Sequence, residues 1–139
     1  MEGVVLVGRF LFALIFVSSG VMAHLVGGSG TVEYARSRGV AAPGVAVRLS
    51  GVWIIAAGLS VAIGVWADLG ALMISAFTLS AAFLVHHFWT DPSGQPQQQE
   101  MTQFMKDLAL AGAGLIFFGF FAATDGVGLM VTSPLFEIS

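Results

Sequence analysis

Three histidines, two of them adjacent, are the side chains of this sequence best suited to chemistry. His24 closes one long apolar stretch, and the pair His86 and His87 closes another. Arg48 stands at the start of a third stretch, and Lys106, followed by Asp107, at the start of a fourth. Imidazole exchanges protons near neutral pH and ligates metals through an unprotonated nitrogen. Ionisable groups so close to long apolar runs are costly and often functional. Three readings are open. In the first, His24, Arg48, His86, His87 and Lys106 make a head-group site for a quinone or a lipid. There His and Arg bond the carbonyl oxygens and pass protons, while aromatic side chains clasp the ring. In the second, His24 with His86 or His87 forms a haem or metal pair. In the third, the rings sit at the stretch ends because amphipathic side chains suit a water–lipid boundary. Adjacent residues on a helix point about 100° apart, so His86 and His87 would not both face one interior site.

The chain that must position these residues is 139 residues long, 57% hydrophobic and 9% charged. A water-soluble domain carries about 25% charged residues. Four stretches, at 4–26, 45–67, 69–89 and 104–124, are each long enough as helices to cross the ~30 Å core of a bilayer. The fold class is therefore all-α: a single transmembrane domain over 1–139, built as a four-helix antiparallel bundle. The first stretch exceeds the about 7–15 apolar residues of a signal peptide and reads as a retained span. With no cysteine, disulfides, thiolate metal sites, iron–sulfur clusters and the Cys-x-x-Cys-His haem attachment are excluded. The net charge of −3 argues against a nucleic-acid partner. No P-loop, Gly-x-Gly-x-x-Gly or His-Glu-x-x-His motif is present.

Between the first two spans, 31–38 is expected as a short interfacial helix, with Thr31 as N-cap and Gly39 as the stop. From Leu49 to Trp89 there is no Lys or Arg. That run must fold back on itself, with Asp68 at the turn capping the third span. The hydrophilic segment from Thr90 to Gln103 is expected to be a solvated loop. Small residues at four-residue spacing, such as Gly58 with Ala62, Ala71 with Ser75 and Ala109 with Ala113, predict close helix packing. Arg9 is expected to snorkel to the near interface, or else to pair with Asp68 or Asp125. Four spans place both termini on one side and all three histidines on the other. The excess of Arg and Lys on the histidine side makes that side cytoplasmic by the positive-inside tendency.

Three segments resemble the DoxX family of small four-span prokaryotic membrane proteins. They are Gly8-Arg9-Phe10 through Ser19-Gly20, Glu33-Tyr34-Ala35 with Arg38-Gly39-Val40-Ala41-Ala42-Pro43, and His86-His87-Phe88-Trp89 through Lys106-Asp107 to Gly112. The chain departs from the family pattern in lacking a basic residue at the turn Ala67-Asp68-Leu69 and in carrying Asp107 where Asn is common. The resemblance implies a multi-pass protein of the prokaryotic plasma membrane. It implies a subunit or accessory factor of a quinone-linked redox system, not an enzyme on its own. The alternative is a non-catalytic structural or assembly subunit of a larger complex. The implied partners are the lipid bilayer and other membrane subunits or further copies of this chain. Quinone is the implied cofactor; haem enters only through the histidine-pair reading of His24 with His86 or His87.

Overall fold

Apolar runs with few breakers form helices, because in lipid every backbone N–H and C=O must be satisfied within the segment. A computed structural model describes residues 1–124, 127 and 129–138 of the chain. It contains five α-helices: α1 (Glu2–Ser19), α2 (Gly28–Ser37), α3 (Pro43–Ile63), α4 (Ala67–Leu84) and α5 (Gln95–Ala122). A π-helical segment, Gly20–Val26, continues α1. A 3₁₀ turn, Phe88–Thr90, follows α4. No strand occurs among the described residues. Among the described residues, four segments are long and apolar enough to cross a membrane: Glu2–Val26, Pro43–Ile63, Ala67–Thr90 and Gln95–Ala122.

Helix α3 packs against both α1 and α4, α4 packs along α5, and α2 lies against α3. The ring of Phe12 meets that of Phe117 at 4.8 Å and brings α1 to α5. Phe16, Ile54, Ala57, Val61, Ile74 and Phe121 fill the core. Leu11, Leu14, Leu49 and Ile116 point outward, as a lipid solvent permits. Gly58, Ala62, Ala71 and Ser75 are buried at helix contacts as expected. Ala109 is instead exposed, and Ala111 and Gly114 form the packed face of α5.

Several boundaries differ from the sequence reading. Helix α2 takes in the glycines ahead of Thr31, and Thr31 ties α2 back to the first span by donating to the Ala23 carbonyl at 2.6 Å. Gly39, at φ 80°, is the stop. The tight turn after α3 uses left-handed backbone at Gly64 and Trp66. Asp68 lies in the first turn of α4 without capping it. Its Oδ2 accepts the N–H groups of Leu135 and Phe136, both at 2.7 Å. Helix α5 starts at Gln95, so most of the hydrophilic segment is helical, with Pro96 in the first turn where its missing N–H costs nothing.

Arg9 does not snorkel. Its side chain is 0% exposed, and it donates from Nε to the Val61 carbonyl and from Nη2 to the Ala62 carbonyl, each at 2.8 Å. The last carbonyls of a helix lack intrahelical donors, and in lipid no water replaces them. A charged fork at that point outweighs the exposure a long side chain normally seeks. Asp125, one of its expected partners, lies outside the described residues.

Candidate functional site

The π-helical segment adds a residue to the turn and rotates the residues beyond it, which sets the direction of His24. Gly51 of α3 gives the space. A Cβ on Gly51 would stand 2.6 Å from the His24 Cβ. The ring then reaches across to α3, with Nδ1 3.1 Å from the Val47 carbonyl and 2.9 Å from Ser50 Oγ. A carbonyl only accepts, so the network assigns a proton to Nδ1, which in the neutral ring leaves Nε2 with a lone pair.

Helix α4 ends at Leu84, and His86 and His87 come after it in a non-helical link. The break, rather than helical spacing, sends the two rings apart. His86 Nδ1 lies 2.8 Å from Glu100 Oε2, and its Nε2 is 3.7 Å from Asp107 Oδ2. Glu100 and Asp107 are seven residues apart on α5, so they share a face about 10 Å apart along the axis. Tyr34 of α2 donates to Glu100 Oε1 at 2.7 Å. Burial, and then the carboxylate of Glu100, push the Tyr34 phenol well above its usual range, so it stays protonated.

His87 belongs to a second group. Arg38 makes a two-point pair with Asp91, at 2.6 and 3.1 Å, and donates from Nε to the Val85 carbonyl at 2.7 Å. The hydrogen bond to Asp91 raises the Arg38 pKa further, and the same bond holds the Asp91 carboxyl below the usual carboxylate range. His87 Nδ1 faces Arg38 Nη2 at 3.1 Å and Thr90 Oγ1 at 2.7 Å, and Nε2 faces the Arg38 carbonyl at 3.2 Å. Both ring nitrogens are thus committed to the link between α2 and α4.

His24 and His86 share one cleft of about 360 Å³, bounded by α2, α3 and α4 and lined mostly by apolar side chains such as Val47, Phe77 and Leu84. His87, Arg48 and Lys106 do not line it. Arg48 is exposed on α3. Lys106 is exposed and donates to Gln103 Oε1 at 2.6 Å, with Asp107 Oδ1 3.4 Å away. No group of three or more His, Asp or Glu side chains that could hold a metal ion occurs among the described residues. Tyr34, Arg38, Ser50, Asp91 and Glu100 are partners that sequence reasoning passed over. A signal existed for the pair on α2: Tyr34, the single tyrosine of the chain, and Arg38 sit four residues apart, on one face of a short helix.

A model of the DoxX family matches residues 4–87. The match ends at His87, so α5 with Glu100 and Asp107 lies beyond it. The inner membrane protein YphA of Escherichia coli K12 is 31% identical over 111 residues, covering 80% of this chain and 78% of that protein. No solved structure matches the chain. Four membrane-crossing helices, a family match over more than half the length and a relative of the bacterial inner membrane converge. The chain is a multi-pass cell-membrane protein and belongs to the DoxX family.

Proposed function

We propose that the cleft between α2, α3 and α4 holds the head group of a quinone, and that the protein serves as a membrane accessory subunit of a quinone-linked redox system. The observation that carries this reading is the pairing of His24 and His86 on the walls of one apolar cleft. Its volume lies within the range of about 300–1,000 Å³ typical of small-molecule sites. The cleft sits at the end of the spans, where a membrane-dissolved tail stays in lipid while a polar ring meets imidazoles. The residues fit the ring: Phe77 and Leu84 supply apolar contact, and His24 Nε2 and the Tyr34–Glu100–His86 chain supply polar groups. Electrons come from a partner redox subunit; this chain binds, orients and exchanges protons. A haem or metal between His24 and His87 has less support, because both ring nitrogens of His87 are already bonded.

The test uses the full-length protein in lipid nanodiscs, titrated calorimetrically with a short-chain quinone in both redox forms. His24→Ala and His86→Ala are each expected to weaken binding about tenfold, the order of one lost buried hydrogen bond. Arg48→Ala, an exposed position outside the cleft, is expected to change it less than about twofold. No saturable binding of either form, or binding indifferent to both histidines, would leave the assembly-subunit reading in its place.

A further inference from the structure

The polar side chains of the cleft are unevenly divided between donors and acceptors. Six line it: His24, Thr31, Tyr34, Ser50, Ser80 and His86. Thr31 donates to the Ala23 carbonyl at 2.6 Å. Ser50 donates to the Val47 carbonyl at 2.9 Å, and Ser80 to the Ala76 carbonyl at 2.8 Å. Tyr34 donates to Glu100 Oε1 at 2.7 Å. A hydroxyl has one proton and keeps acceptor lone pairs once that proton is committed.

The two imidazoles show the same pattern. His24 directs its Nδ1 proton to the Val47 carbonyl at 3.1 Å, which leaves Nε2 as an acceptor. His86 directs Nδ1 to the Glu100 carboxylate at 2.8 Å, and its Nε2 turns to Asp107. With both rings neutral, every polar side chain lining the cleft therefore has its proton engaged elsewhere. A ligand carbonyl in the cleft would give up its water and meet lone pairs, an unpaired burial with a direct penalty. A ligand hydroxyl would find an acceptor.

We propose that the cleft selects the reduced, hydroxyl-bearing form of its ligand: a quinol, whose O–H groups donate to His24 Nε2 or Tyr34 Oη, in preference to the corresponding quinone. This rests on the quinone-linked reading of the same site and adds to it the redox form that is held. It also gives the interfacial helix a part in recognition, since Tyr34 accepts from the ligand through an oxygen whose own proton is tied to α5.

The experiment compares three ligands sharing one ring and tail: a decyl quinone, its quinol and the dimethyl ether of that quinol. Each is titrated anaerobically into the full-length protein in nanodiscs. The quinol is expected to bind about tenfold or more tightly than the other two, because a site built around a hydroxyl rejects the analogue that lacks it. His24→Leu is expected to bring the quinol close to the quinone. Should that variant fail to assemble, the ligand series on the unaltered protein still decides. Quinone or ether binding as tight as quinol overturns donor selection and leaves the quinone-linked role standing. Absence of binding by all three removes that role and this inference with it.

Discussion

Tyr34 and Arg38 do different work from one face of the same short helix. Tyr34 reaches Glu100 on α5, and Arg38 reaches Asp91, Val85 and His87 in the link after α4. Together they fasten α2 over the cleft. The Arg38–Asp91 pair has a defined pH signature. Asp91 is held below the usual carboxylate range, so its contribution is fully present above the unfolded carboxylate pKa of about 3.9 and disappears as the pH falls through the folded value. The protection factors of amides 28–37, which divide out the intrinsic base-catalysed pH dependence of exchange, are expected to be flat through neutral pH and to fall below about pH 4. Asp91→Asn is expected to show at all pH values the lower protection that the unaltered protein reaches only in acid, with the acid step from this pair lost. A profile of Asp91→Asn that matches the unaltered protein removes the pair from any part in holding α2.

The element that aims His24 is the π-helical segment at the end of the first span, and it works only because α3 yields at Gly51. A Cβ at Gly20 would come 2.5 Å from Ile55 Cγ1, and one at Gly51 would come 2.6 Å from the His24 Cβ. Neither contact is compatible with real packing. Gly51→Ala is therefore expected to push the first span away from α3, lower the thermal midpoint by several degrees through about 1–3 kcal/mol of overpacking, and weaken ligand binding about tenfold as His24 loses its register. Gly44→Ala, at a position with open space for a Cβ, is the control. Unchanged binding in Gly51→Ala would show that His24 is not held by this contact. The start of α5 at Gln95 has a comparable consequence. By continuing the helix outward it puts Glu100 in reach of both Tyr34 and His86.

At the scale of the whole molecule, the two ends of the bundle are built differently. The histidine end is open and carries the cleft. The terminal end is closed by the chain itself. Val131 and Thr132 donate to the Gly64 carbonyl at 3.0 and 3.1 Å, Thr132 Oγ1 accepts the Trp66 N–H at 2.9 Å, and Asp68 accepts from Leu135 and Phe136. Asp68 is 0% exposed, and its Oδ1 has no hydrogen-bond partner among the described residues. Removing the carboxylate thus costs two charge-assisted bonds, at about 1.5–3 kcal/mol each. Asp68→Ala is expected to lower the thermal midpoint in detergent and expose 130–138 to protease, whereas Asp68→Asn, which keeps one acceptor oxygen, is expected to retain most of the midpoint. Equal behaviour of the two variants would mean that volume, not the accepted N–H groups, holds this end shut.

Hydrophobic length is local and one-dimensional, and it carried the solvent, the all-α class, the four crossings and the gathering of His24, His86 and His87 at one end. The stops at Gly39 and before α3 were legible for the same reason, since glycine and proline act on their own backbone. Which histidines share a cleft was not legible, because it depends on a π-helical rotation, on the break after Leu84 and on a missing Cβ at Gly51. Glu100 looked like part of a solvated loop because its composition is polar; it becomes part of the site through partners at 14 and 66 residues' separation. Arg9 looked like a surface charge and turned out to be a helix cap 52 residues away. Hydropathy sorts residues between lipid and water, but hydrogen-bond partners are chosen by direction and distance, which exist only once the helices have packed.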